Sequence, residues 1–153
     1  MAKIHRQALL AYPADQVFAI IQDVPSYPEF LRWCVDAHVL EHTENSMLAG
    51  LTVSIAGFRQ RFTTRNIATL IKDDADRSVH VLALKLEEGP FQYLSGQWSV
   101  TNLAEAASRI ELQLDFAFQT GFVEAAFSRG FGQIAQQLVA DFVRRAHAKL
   151  GNR

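Results

Sequence analysis

The sequence predicts an α+β fold: a curved, seven-stranded antiparallel sheet gripping a long C-terminal helix, with two short helices after strand 1. Three observations carry this. Apolar side chains recur at Phe127, Phe131, Ile134, Ala135, Leu138, Val139, Phe142, Val143 and Ala146, and steps of three and four place them on one broad helical stripe. Ile110, Leu112, Leu114, Phe116 and Phe118 alternate with Arg109, Glu111, Gln113 and Asp115, the mark of a strand with one buried and one wet face. Finally, the order is strand, two short helices, six strands and one helix, which points away from a βαβ parallel sheet. A helix with one wide apolar face needs a concave partner, so the sheet must curl around it.

Lys3 to Tyr12 reads as the first strand, ended by Pro13, which drives Tyr12 out of the helical region. Pro13 to Gln22 is a short helix with Ala14, Val17, Phe18 and Ile21 on one face. Asp23-Val24-Pro25 stops it. Ser26 and Glu29 have capping-box spacing for a second short helix, Tyr27 to Leu31, with Pro28 tolerated in its first turn. Six strands come next: Val35 to Thr43, Met47 to Gly57, Phe58 to Lys72, Val79 to Glu87, Tyr93 to Leu103 and Ser108 to Phe118. Gly57, the polar run Asp73 to Asp76, and Glu88-Gly89-Pro90 supply turns between them. Short connections make these strands antiparallel neighbours.

The terminal helix spans Gly121 to Leu150. Thr120-Gly121 can open it, Glu124 suits its positive first turn, and Arg144, Arg145 and Lys149 suit its negative end. At ~1.5 Å per residue it is roughly 40 Å long. Gly130 and Gly132 interrupt it on either side of Phe131, each costing about 1 kcal/mol relative to Ala. Either the helix crosses a strand closely there, or the missing side chains leave room for a guest beside Phe131.

At 153 residues the chain is most simply one domain, residues 1–153, large enough to bury a core without disulfides or metals. Net charge is −1, so nothing global pulls it toward DNA or an anionic membrane, and any such contact would be a local patch. The single cysteine, Cys34, excludes an internal disulfide and suggests a reducing compartment. No apolar run approaches the ~20 residues that span a bilayer. A cytoplasmic protein is expected, with a peripheral position at the inner face of the membrane as an extension of that reading.

Catalysis needs a nucleophile, a metal or an acid/base pair in one pocket, and no such constellation stands out. His38 and His42, four apart on a strand, sit roughly 13 Å from each other and cannot share a metal. Glu87 and Glu88 point to opposite faces. Cys34 beside Trp33 reads as a small buried apolar residue. No catalytic residue, metal or required cofactor is assigned.

Several segments together resemble one family. They are Asp23-Val24-Pro25-Ser26-Tyr27-Pro28-Glu29-Phe30-Leu31, then Phe62-Thr63-Thr64-Arg65-Asn66, then Gly89-Pro90-Phe91 with Leu94, Gly96 and Trp98, and last Phe142 to Ala146. In order and spacing the set resembles the START-like, helix-grip superfamily, and within it the coenzyme Q-binding and ribosome-association-toxin (RatA) family, often grouped with polyketide cyclases. Arg32 stands where that pattern has proline before Trp33-Cys34.

The resemblance implies a lipid-sized apolar space between sheet and helix. It also implies two roles: binding ubiquinone or a similar isoprenoid quinone in support of respiration, or contacting the large ribosomal subunit and blocking subunit association. An aromatic polyketide cyclase is a more distant implication. The expected cavity walls are Phe58, Phe62, Leu82, Leu84, Leu94, Trp98, Leu114, Phe116, Phe127 and Phe131, although periodicity alone cannot distinguish a cavity from ordinary core. Arg59, Arg61 and Arg65 share the opposite face of one strand, a spacing suited to phosphates of structured RNA or to ion pairs with neighbours such as Glu111 or Asp115. Tyr27, Phe30, Leu31 and Trp33 form an aromatic-rich group suited to transient membrane contact or, equally well, to packing under the sheet.

Overall fold

The computed structural model describes residues 2–119, 121 and 123–151. Strand β1 (Ala2–Leu10) leads into helix α1 (Ala14–Gln22) and a 3-10 turn (Val24–Glu29). Strands β2 (Cys34–His42), β3 (Ser46–Ile55), β4 (Phe58–Lys72), β5 (Ser78–Glu88), β6 (Phe91–Ala104) and β7 (Ala107–Phe118) come next, and helix α2 (Ala125–Leu150) closes the chain. All neighbours pair antiparallel in the order β1-β7-β6-β5-β4-β3-β2. Strands β2 to β7 are thus a meander, and β1 returns to its far edge beside β7. One face of this sheet holds α1 and α2; the other faces outward.

The alternation in the sequence becomes burial here. Ile110, Leu112, Leu114 and Phe116 are buried along β7, and α2 buries Phe127, Phe131, Ala135, Val139, Phe142 and Ala146 against the sheet. Six phenylalanines gather beneath the first half of α2. Phe131 meets Phe116 at 5.1 Å, Phe118 at 5.3 Å, Phe91 at 5.5 Å and Phe62 at 6.3 Å between ring centres, all edge-on, and stacks with Phe127 at 6.4 Å. Edge-to-face contacts of this kind add to the burial energy of large rings.

Helix α2 begins at Ala125, four residues later than the expected Gly121. Glu124, extended at φ −61° and ψ 143°, takes the N-cap position instead of the first turn, and Thr120 lies outside the described residues. Gly121 has φ +84°, a conformation that belongs to a turn rather than a helix start. The 3-10 turn also forms differently from expectation. Pro25 and Pro28 lack the N–H groups an α-helical turn would use, and the capping box does not close because the Ser26 N–H donates to the Asp23 carbonyl at 3.1 Å. Ser26 Oγ donates to Asp23 Oδ2 at 2.6 Å, and Glu29 reaches across to Arg145.

Gly130 explains itself by close packing. A Cβ there would lie 2.4 Å from Ile55 Cγ2, whereas one on Gly132 would meet nothing within 4 Å. The helix rests on the end of β3 through Gly130. The β3–β4 hairpin turns through Ala56 (φ 54°) and Gly57 (φ 83°), the pair of positive angles that suits strand twist in a two-residue turn.

Candidate ligand cavity

Beyond Phe131 the interior opens. A cavity of about 100 Å³ lies between the middle of α2, the sheet and the 3-10 turn. From α2 come Phe131, Ile134, Ala135, Leu138 and Phe142; from the sheet Ala49, Leu51, Phe62, Thr64, Asn66, Leu84, Leu94, Trp98 and Leu114; from the 3-10 turn and the loop between it and β2 Val24, Tyr27, Leu31 and Trp33. The hollow has a steric origin. Phe131 and Phe142 stand as spacers about three helical turns apart, and between them Ala135 faces inward with Ala49 also on the wall. Two small residues between large ones leave space that neighbours in a close-packed interior cannot fill without strain.

The second spacer has its own aromatic group. Trp98 lies 4.8 Å, Phe30 5.2 Å and Tyr27 5.4 Å from Phe142 between ring centres. Tyr27, Phe30, Leu31 and Trp33 therefore turn toward α2 and the hollow, and Leu31 is fully buried. They do not form an exposed aromatic belt. The Tyr27 hydroxyl donates to the Ile21 carbonyl, and burial raises its pKa well above the phenol range.

Of the ten expected wall residues, Phe62, Leu84, Leu94, Trp98, Leu114 and Phe131 face the hollow. Phe116 and Phe127 are buried in the phenylalanine cluster. Leu82 is buried one pleat further along β5, toward the end where His80 stacks on Phe18 of α1 at 5.1 Å. Phe58 is corrected outright. It is 39% exposed at the start of β4, directly after the hairpin turn, and does not line the hollow. Pattern reasoning passed over Thr64 and Asn66. They share the inward parity of Phe62, and a polar pair on an apolar face was the signal available in the sequence.

Polarity in the cavity is confined to a few atoms. Thr64 Oγ1 donates to Asn66 Oδ1 at 2.7 Å, and both residues are buried. No charged side chain lines the hollow among the described residues. Cys34 sits nearby as a buried neutral thiol, its pKa pushed up to about 11 chiefly by burial. These walls suit an apolar guest carrying little polarity.

The outward face of β4 carries the three arginines. Arg65 pairs with Glu87 on β5 at 3.2 Å and Glu41 on β2 at 3.6 Å. Arg61 Nη2 donates to His38 Nε2 at 2.9 Å, and His38 Nδ1 lies 3.3 Å from Asp36 Oδ2. Gly50 on the intervening strand leaves the gap through which Arg61 reaches. Arg59 has no ion-pair partner among the described residues. The expected partners Glu111 and Asp115 are too far, since β7 lies three strands from β4; Glu111 pairs with His5 instead. None of the three arginines faces the cavity.

A seven-stranded sheet wrapped on a long C-terminal helix, with an apolar hollow between them, is the helix-grip fold of START-superfamily proteins. Residues 10–143 match the family described as polyketide cyclase/dehydrase and lipid transport, and the chain belongs to that family. It is 40% identical over 146 residues to the ribosome association toxin RatA of Escherichia coli K12, a match covering 95% of this chain and 87% of the relative. It is 25% identical over 145 residues to the mitochondrial coenzyme Q-binding protein coq10 of Schizosaccharomyces pombe, covering 92% and 84%. Among solved structures, the ZhuI aromatase/cyclase of Streptomyces sp. R1128 superposes with a TM-score of 0.72 at 19% identity, over 98% of this chain and 97% of that one. At that identity the likeness is one of fold.

Proposed function

We propose that this protein is a non-catalytic binder of a hydrophobic small molecule, with a ubiquinone-like isoprenoid as the favoured class, held between the sheet and α2 in support of respiration. The observation that carries the reading is the uncharged, apolar hollow around Ala135. Its size sets a condition. About 100 Å³ is well below the roughly 300–1,000 Å³ of drug-sized ligand sites. A ring with its tail therefore enters only as α2 and the 3-10 turn move apart. The coq10 relative, named as a coenzyme Q-binding protein, supports the ligand class. Titration with a short-chain ubiquinone tests it, since both tryptophans of the chain, Trp33 and Trp98, line the hollow. Saturable quenching of their fluorescence, with a quinone retained on native mass spectrometry, is the expected result. No quenching and no retained lipid would sink the reading.

A second reading, contact with the large ribosomal subunit that blocks subunit association, rests on the 40% identity to RatA. It uses a different surface, the outward face of β4. Since Arg65 is already neutralised by two carboxylates, Arg59 and Arg61 are the groups most available to phosphate. Reversing both to Glu should abolish salt-sensitive co-sedimentation with large subunits; unchanged co-sedimentation removes this surface from the proposal.

A further inference from the structure

We propose that Thr64 and Asn66 select the head of the cavity's guest, and that the guest is a neutral molecule presenting one hydrogen-bond-accepting oxygen. The proposal rests on the cavity-binding reading above and adds a ligand class and a specificity pair to it. The two side chains are 8% and 4% exposed. They project from the inward face of β4 beside Phe62, on the sheet side of the hollow. The rest of the wall is apolar, with Leu51, Leu84, Ile134 and Leu138 half-buried. A guest therefore meets the polar pair with its polar end and the apolar wall with its remainder.

The hydrogen-bond count sets the chemistry. Thr64 spends its hydroxyl proton on Asn66 Oδ1, which leaves the Asn66 amide nitrogen with two N–H donors and no side-chain or backbone acceptor among the described residues. An amide N–H that faces an apolar hollow forgoes the hydrogen bonds it would make in water, a penalty for the empty or hydrocarbon-filled site. An oxygen on the guest that accepts from Nδ2 removes this penalty, so carbonyl, ether or hydroxyl oxygen is favoured over pure hydrocarbon. A carboxylate or phosphate is disfavoured for a different reason. With no cationic side chain on the cavity wall, an anion would leave water for an apolar site with an amide as its main compensation, which is far short of its desolvation cost. Thr64 acts by orienting Asn66: its bond fixes which end of the amide is turned toward the hollow.

The test uses the full chain and three probes: a short-chain ubiquinone, a hydrocarbon of the same ring and tail without oxygens, and a long-chain fatty acid at pH 8. Wild-type protein should bind the quinone more tightly than the hydrocarbon and the fatty acid anion least. Asn66→Leu should weaken quinone binding by about tenfold, the worth of one hydrogen bond in a dry site, and leave the hydrocarbon unchanged or improved. Thr64→Val, of nearly the same shape, should weaken quinone binding by a smaller factor in the same direction and serves if Asn66→Leu does not fold. Equal quinone affinity in a folded variant, or fatty acid binding as tight as quinone, overturns the selector role while leaving the cavity reading intact. If none of the three probes binds wild-type protein, the cavity reading itself falls and the selector with it.

Discussion

Arg145 holds the last residue of the 3-10 turn and the one after it at once: its Nη2 donates to Glu29 Oε1 at 2.8 Å, and its guanidinium carbon stands 4.8 Å from the centre of the Phe30 ring. Its side chain is only 12% exposed. The contact ties residues 24–29 to the last turns of α2 directly beside the hollow, where Tyr27 forms part of the wall. Replacing Arg145 with Gln should loosen this strap. Faster amide hydrogen exchange across residues 24–31, and faster quinone uptake by stopped-flow quenching, are expected. Arg145→Lys should rescue little, since an ammonium lacks the planar fork that serves both partners.

The same strap predicts an acid sensitivity. The hydrogen bond from Arg145 holds the Glu29 carboxyl below its ordinary value of 4.5. A carboxyl whose pKa is depressed on folding stabilises the protein above the unfolded value and loses that contribution as pH falls through the folded one. Denaturation midpoints measured from pH 6 downward should therefore drop more steeply below about pH 4.5 in wild type than in Glu29→Gln. The group is exposed, so the difference should be small and should shrink further in high salt.

The two helix glycines should respond in opposite ways to alanine. At Gly130 the new methyl would sit 2.4 Å from Ile55 Cγ2, on a β-branched side chain with little rotamer freedom. Overpacking should outweigh the gain in helix propensity, for a net loss of about 1–2 kcal/mol. Gly132→Ala meets open space and should gain about 0.5–1 kcal/mol. Chemical denaturation of both variants, with Ile55→Ala as the partner that relieves the Gly130→Ala clash, checks the assignment through a double-mutant cycle.

Cys34 gives a prediction at the alkaline end. Burial lifts its thiol from 9.0 to about 11. Because the raised group is neutral when folded, stability is unaffected by it below pH 9 and is lost as pH rises from there toward 11. The wild-type minus Cys34→Ala difference in midpoint should show that slope, and native protein should resist thiol labelling at pH 8.

Much of this architecture could be read from the chain. The bounds of β4, Phe58–Lys72, coincide with the expected strand, because a long alternating run between a glycine turn and an acidic turn leaves little freedom. The start of α2 was less legible: Thr120-Gly121 resembles a helix opening, but a glycine at positive φ serves a turn equally well. The hollow was implied by the family resemblance but not by the residue pattern. Periodicity says which side chains point inward, and only the fold, which brings Ala49 and Ala135 to one wall with Phe131 and Phe142, says that space is left among them. Similarly, the aromatic run from Tyr27 to Trp33 looks like a surface group until Phe142 is seen to lie against it.

The placement of β1 beside β7 has a consequence for synthesis. Leu10 faces Ser108 and Ala2 faces Phe116, so β1 finds its hydrogen-bonding mate only after roughly a hundred further residues have been made, a separation that slows sheet closure. Until then a nascent chain carries β1 as an orphan strand and a growing meander behind it. The two cannot join before β7 emerges, and α2, which follows β7, is the piece that shuts the interior from water.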